Sequence, residues 1–506
     1  MRQGDPLSPL LFCLAEEVIS RRLTKLVREG ELKLINGTRD IQIPSHILYA
    51  DDMMIFCKGT NPNIKVLKKA FMDYAEASGQ LVNPQKSSIY AGSISSSRLN
   101  QIANQIGFQI GTLPFTYLGV PIFKGKAKYV YFQPLANKVK SKLSAWKASF
   151  LSIIGRVQLV KSVVQSMLLH CLSIYSWPVK LLKDMEKWMR NFIWSGDLNQ
   201  RKLVTVAWHK VCTPLKEGGL GLRNLSHINE VGNLKNCWDI LQSELQWAQL
   251  IRSRVLRDNK PISHHLSSSI WSSAKNKFNT LMDNVLWKIG NGQTIKFWTD
   301  PWCGDPLIIA LNIPQHLHHL LQSHLDTYIM DTKWNVPQPF ISAYPILKQK
   351  LTSTTIPLIP KDDKLIWKNS HDGSLSFKDA YTFHASNHPQ CLSWSKMIWH
   401  AAISPSKSFL VWRVFHDKLP TDGNLSKRGC LLPSICNLCG AAQETSMHLF
   451  IDYPFTTDIW HWLGSLLNLN CNLTSFLDII RISDRNWSPH CKLVILVAII
   501  YCFNII

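Results

Sequence analysis

Two aspartates stand side by side, Asp51 and Asp52, where the apolar runs Ile47-Leu48-Tyr49-Ala50 and Met53-Met54-Ile55-Phe56-Cys57 meet. Short apolar runs that meet at a polar point predict a β-hairpin, here with an acidic tip. Carboxylates held that close repel each other unless a cation lies between them. This pair therefore constrains the chain more than any other feature. Nucleotidyl transfer uses such cations, with two Mg²⁺ ions clamping the attacking 3′-hydroxyl and the leaving phosphate oxygens. A solvated Asp-Asp turn would carry the same two residues, and the surrounding sequence has to decide between them.

The charge balance points towards nucleic acid. The 506 residues carry 56 Lys+Arg against 34 Asp+Glu, a net charge of +22, and a chain this basic meets nucleic acid or an anionic membrane. Between Phe123 and Lys216 there are 17 Lys+Arg and only Asp184, Glu186 and Asp197 as acids, a surplus of 14. That concentration suits a surface that follows phosphates, because each phosphate neutralised releases condensed counterions. The apolar fraction of 46% argues for a folded chain. No apolar stretch follows the charged start, so no secretory leader is expected. With 13 cysteines in no evident framework, a reducing compartment is expected, nucleus or cytoplasm. The closing run Leu493 to Ile506 is apolar but, at 14 residues, short of the ~20 needed to span a membrane. It reads as a buried helix or strand cut off before its domain ends, and no membrane partner is expected.

Periodicity fills in the rest. A helix is expected after Pro9, with Leu10, Leu14, Val18 and Leu23 at near-helical spacing, and another over 64–78, ended by Ser78-Gly79. From Pro134 an apolar stripe of Leu135, Val139, Leu143, Trp146 and Phe150 predicts a helix with Lys138, Lys142 and Lys147 off the stripe. Further helices are expected over Arg156–Leu172 and Leu181–Trp194. After about residue 230 the texture becomes short aromatic-rich segments. Trp287 to Gly292 reads as a strand and turn, Thr294 to Trp298 as the returning strand, and 311–365 as a loose connector.

The neighbours of the acidic pair carry a resemblance. Arg2-Gln3-Gly4-Asp5-Pro6-Leu7-Ser8-Pro9 lies upstream of Tyr49-Ala50-Asp51-Asp52. Ser78-Gly79, Asn83, Lys86-Ser87 and Tyr117-Leu118-Gly119-Val120-Pro121 follow it. Their order and spacing resemble the second half of a reverse transcriptase palm. Leu151 to Lys161, Trp208 to Leu222, Trp287 to Trp302 and Trp394 to Trp462 are similar to later segments of plant non-LTR (LINE-type) retrotransposon reverse transcriptases.

The resemblance implies an RNA-directed DNA polymerase using Mg²⁺, with an RNA template and a DNA primer as partners. It matches Asp51 and Asp52 to metal-binding catalytic aspartates, and Lys86 to a lysine that protonates or neutralises the departing pyrophosphate. It matches Gln3 and Gly4 to the nucleotide and template loop, and Leu118 and Gly119 to the segment that holds the primer. Lys138, Lys142, Lys147, Arg156 and Lys161 are expected to face the duplex, contacting phosphates without reading sequence. The family also supplies a further aspartate ahead of the Arg-Gln-Gly-Asp motif, and none of Asp5, Glu16, Glu17, Glu29, Glu31 or Asp40 matches it. The expectation is a chain that lacks the fingers and first palm strand and does not polymerise alone. The alternative is a non-enzymatic nucleic-acid-binding remnant of a decayed element.

A second site is Cys436-Asn437-Leu438-Cys439 with His448 nine residues on. Cys-x-x-Cys presents two thiolates to one ion, and a later His adds a third ligand to a tetrahedral Zn²⁺ site. In the resembled family the fourth ligand is a cysteine five residues after the histidine. Here that position is Tyr453, which leaves Asp452 or Cys430 as substitutes. A zinc-free module resting on Trp399, Trp412, Phe415, Phe450 and Trp460 is the other reading. The expected architecture is α+β: a partial palm over 1–122, a basic helical thumb-like domain over 123–230 and an aromatic-rich connector over 231–365. A zinc-binding domain over 366–465 and an apolar tail over 466–506 complete it.

Overall fold

The computed structural model describes residues 5–38, 41–146, 148–200, 206–257, 260–264, 266–359, 361–385, 391–432, 435–469 and 473–506. These mix many helices with short two-stranded pairings, an α+β fold. The chain divides into two compact units, one made of Met1–Ala127 with Leu234–Leu375, the other of Lys128–Asn233 with Ser376–Ile506.

In the first unit, helix α1 (Ser8–Arg28) buries Ile19, Leu23 and Leu26. They pack against Leu67, Ala70 and Tyr74 of helix α2 (Asn61–Ser78), and Met53 and Ile55 close the cluster. Gly79 ends α2 in the left-handed conformation, as its place after Ser78 predicts. The stripe expected on α1 is corrected: Leu23 is buried, whereas Leu10, Leu14 and Val18 are more than half exposed. Asn63 shows how a buried amide is satisfied. It donates to the carbonyls of Lys33 and Lys58 and accepts from Lys33 N–H.

The later part of this unit departs from the sequence reading. The end of helix Leu225–Gln242, which begins in the other unit, and helix Gln246–Val255 occupy the start of the stretch expected to be short segments. The strand Val285–Lys288 pairs antiparallel with Lys364–Trp367, not with Thr294–Trp298. The segment between them is not loose: Ile295, Phe297, Leu307, Leu325 and Leu347 are fully buried in one aromatic cluster with Trp298 and Trp302.

In the second unit, Tyr129–Ala145 is a helix burying Phe132, Ala136, Val139 and Leu143. The buried stripe is thus one turn earlier than expected, and Phe150 is exposed. Helices Ile153–Leu159 and Gln165–Leu172 are joined by a π-turn at Val160–Val164. Helix Val179–Ser195 buries Leu181, Met185, Met189 and Phe192 and ends at left-handed Gly196. The apolar tail forms the helix Pro489–Ile505, whose buried Phe503 meets Phe450, Trp460 and Phe476. No helix among the described residues is long and apolar enough to cross a membrane.

Candidate active site and metal centre

The acidic pair sits on a tight hairpin. Strand β1 (His46–Tyr49) pairs antiparallel with β2 (Asp52–Ile55), Tyr49 opposite Asp52, so Ala50 and Asp51 form a two-residue loop. Asp51 is at the tip and Asp52 opens the second strand, and both are exposed. Ala50 has φ +48°, a left-handed conformation that costs an L-residue with a Cβ roughly 1–2 kcal/mol. Strain of this kind gathers where a turn holds functional groups in place.

A second tight turn comes next to it. Strands Phe115–Tyr117 and Val120–Ile122 pair with Tyr117 opposite Val120, and Leu118 and Gly119 have φ +48° and +79°. Positive φ at both central residues is the hairpin turn whose twist suits the strands, and Leu is an unusual occupant of it. Tyr117 joins the two turns. Burial, then the charge of Asp52 and the phenol of Tyr49, push its hydroxyl above the usual phenol range. That hydroxyl is buried with no hydrogen-bond partner among the described residues. On α1, burial and then the charge of Asp51 raise the Glu16 carboxyl. Sequence reasoning missed both residues, because only the pairing of distant strands and helices brings them there.

The remaining expected residues fall into three groups. Gln3, Gly4 and Lys147 lie outside the described residues. Lys86 is exposed on a turn fixed by Asn83, whose side chain accepts the N–H groups of Gln85 and Lys86. Lys138, Lys142 and Lys161 are exposed, and so are Lys180, Lys183 and Lys187 on one face of Val179–Ser195. Arg156 is corrected from a surface cation to a bracing one. It is half-buried and donates to the carbonyls of Ala148 (3.1 Å) and Ile193 (3.2 Å).

The thiol site converges as its spacing predicts. Ligand atoms of Cys436, Cys439 and His448 all lie within 4.8 Å of one another. Cys439 Sγ is 3.3 Å from His448 Nε2. Tetrahedral zinc with ordinary Zn–S and Zn–N bonds would set that separation at about 3.6 Å, so the three residues fit a zinc ion. Gly440, with φ +64°, closes the turn, and its N–H donates to Cys436 O. The N–H of Ala441 foremost, then that of Ala442 and the Cys436 thiol, hold the Cys439 thiol below its usual range. This favours the thiolate a metal needs. Cys430 and Asp452, the two substitutes for the fourth ligand, are exposed and outside this group.

Two families match the stretches of chain that hold these two sites. Residues 1–122 match the family described as reverse transcriptase (RNA-dependent DNA polymerase), and residues 375–460 the family described as zinc-binding in reverse transcriptase. The chain is 28% identical over 355 residues to a "Putative ribonuclease H protein" of Arabidopsis thaliana, covering 67% of this chain and 57% of that protein. It is 30% identical over 141 residues to an uncharacterized mitochondrial protein of the same plant, 27% of this chain and 92% of that protein. A retrovirus-related Pol polyprotein from a type-2 retrotransposable element of Drosophila melanogaster is 26% identical over 266 residues, 50% of this chain and 23% of the polyprotein. The chain thus spans a little over half the length of the first of these relatives, and it belongs to the reverse transcriptases of non-LTR retrotransposons.

Proposed function

We propose that this chain carries the hairpin aspartates, primer turn and duplex grip of an RNA-directed DNA polymerase that works on an RNA template and a DNA primer. The observation that carries the reading is the convergence of two strained turns, Ala50-Asp51 and Leu118-Gly119, through Tyr117 beside Asp52. Asp51 and Asp52 would hold Mg²⁺, which when bound clamps the attacking hydroxyl and the leaving phosphate oxygens. Gly119 brings bare backbone and Leu118 an exposed side chain to the primer end, and exposed Lys86 neutralises the departing pyrophosphate. Gln3 and Gly4 complete the nucleotide side. Residues 1–122 are the palm segment, 123–230 the thumb-like segment and 366–465 the zinc-binding segment. Lys138, Lys142, Lys147 and Lys161 meet duplex phosphates, and Cys436, Cys439 and His448 hold Zn²⁺.

Among the described residues no third carboxylate closes on Asp51 and Asp52 within ligand distance. Two carboxylates on a hairpin tip do not by themselves complete a two-metal clamp. The chain assayed alone is therefore expected to bind template–primer without extending it. The test is primer extension on an RNA template with Mg²⁺, run beside Asp52→Asn and a duplex-binding assay. Salt-sensitive binding without extension supports this reading. Extension that disappears in Asp52→Asn would show a complete clamp and overturn the account of the carboxylates. Absence of duplex binding would overturn the polymerase reading itself.

A further inference from the structure

The first unit holds a cleft of about 800 Å³ that the active-site reading leaves unused. Its walls come from the helix Gln246–Val255, the strand Lys260–Pro261, the loop after Val285–Lys288, and the segment around Gln322 and His324. We propose that this cleft is a separate contact for the phosphodiester backbone of nucleic acid, an inference that rests on the nucleic-acid reading above.

The lining chemistry selects the ligand. Lys260 and Lys296 face the cleft, with His324 beside them and Arg252 bracing the wall, and Asp300 is the one carboxylate in it. Three cations against one anion leave a positive surplus. Asp300 is already engaged: it accepts Lys296 N–H at 2.8 Å and feels Lys296, Lys260 and His324 around it.

Arg252 and Lys296 are held in place. Arg252 donates Nε to Ile240 O at 2.8 Å and a terminal nitrogen to Ser243 O at 2.6 Å. Lys296 Nζ donates to Gln322 Oε1 at 2.9 Å, and Lys296 bridges His324 through the backbone. Side chains fixed beforehand lose less freedom on binding.

The wall contains no Phe, Tyr or Trp ring. Bases that enter single-strand grooves stack on aromatic faces, so this cleft does not take splayed bases. The amides of Gln249, Gln293 and Gln322 and neighbouring hydroxyls supply neutral hydrogen bonds. This mixture suits phosphate and sugar oxygens, which position a strand without reading its sequence. At ~800 Å³ the space exceeds what a single ion requires and falls in the range of organic ligand sites, room for a short stretch of backbone. Free polyphosphate has the same oxyanions, and the test separates it.

Fluorescence anisotropy of a labelled RNA–DNA hybrid, read across salt concentration, gives the number of phosphates neutralised from the slope of log affinity on log salt. Lys260→Gln with Lys296→Gln should lower that slope by about two, one per lysine, with unchanged melting; Lys260→Arg with Lys296→Arg should restore it. Lys183→Gln with Lys187→Gln, in the other unit, runs in parallel. If only the Lys183/Lys187 variant changes the slope, the cleft assignment fails and the nucleic-acid reading stands. If neither variant changes it, both fail. If the cleft variant loses binding of inorganic triphosphate and keeps the hybrid slope, the cleft holds free phosphates and the proposal is overturned.

Discussion

Asp363 offers a quantitative test of how the chain holds its aromatic-rich segment. One carboxylate receives four donors from the loop Gly290-Asn291-Gly292-Gln293-Thr294. Oδ1 accepts the N–H groups of Gly290 (2.7 Å) and Gly292 (2.9 Å), and Oδ2 accepts the N–H (2.9 Å) and hydroxyl (2.8 Å) of Thr294. The two bonds to Oδ1 are half-buried and those to Oδ2 exposed. Charge-assisted bonds of the first kind contribute about 1.5 kcal/mol each at the low end, and the exposed pair together ~0.5 kcal/mol after screening. Asp363→Ala should lower the opening free energy of this loop by about 3.5 kcal/mol. At 1.4 kcal/mol per tenfold, the amides of Gly290, Gly292 and Thr294 should exchange hydrogen ~300-fold faster. Asp363→Asn keeps one acceptor oxygen and should fall in between. Native-state hydrogen exchange read by mass spectrometry reports the loop directly. It avoids a global melting curve, which mixes two compact units. Exchange at those amides within threefold of the wild type would refute the assignment of Asp363 as the anchor.

Two further outcomes follow from the second unit. Chelation of a zinc-loaded preparation, or Cys439→Ser, should remove one zinc per chain and lower the melting temperature; a preparation that holds no zinc, or melts identically without it, would show a metal-free module. His227 is stacked on Tyr381 at 4.5 Å and lies 4.4 Å from the ring of His384. Burial, then the charge of His384, pushes its pKa down to about 4. A histidine whose folded pKa lies below its unfolded value contributes fully above the unfolded value, near 6.5, and destabilises as pH falls from there towards 4. His227→Phe should flatten the melting temperature over that window, and an unchanged pH profile would refute the assignment.

What the sequence made legible follows from the range of the forces involved. Helices α2 and Val179–Ser195 are written in local periodicity and a following glycine, and both form as read. The acidic hairpin and the Cys436, Cys439, His448 convergence are equally local. The expected return strand at Thr294–Trp298 fails because its place is taken from far along the chain, by Lys364–Trp367 with Asp363 just before it. The segment 311–365 looks loose because its elements are short. Its core residues, Leu325 and Leu347 among them, carry no periodic signal and become a core only by meeting Phe297 and Trp302. Arg156 looked like a surface cation because its carbonyl partners, Ala148 and Ile193, belong to other turns of the chain.

The metal centre and the glycine-rich turn of the second unit are connected by a chain of contacts that no motif announces. Ser446, two residues before His448, donates to Asp417 Oδ1 at 2.8 Å. Asp417 sits in a left-handed conformation, φ +49°, immediately after His416. His416 Nε2 and Trp412 Nε1 both lie 2.7 Å from the carbonyl oxygen of Gly218. Gly218 begins the Gly-Gly-Leu-Gly-Leu run, and a Cβ on the next residue, Gly219, would come within 2.0 Å of Thr213 O. Glycine is therefore required there for the two backbones to touch. The links are hydrogen bonds and chain neighbours, a contiguous set of contacts. The Cys436–His448 loop thus shares one set of contacts with the turn that follows the basic helices. That gives the Cys436–His448 segment a physical reason to accompany the basic helices in one compact unit.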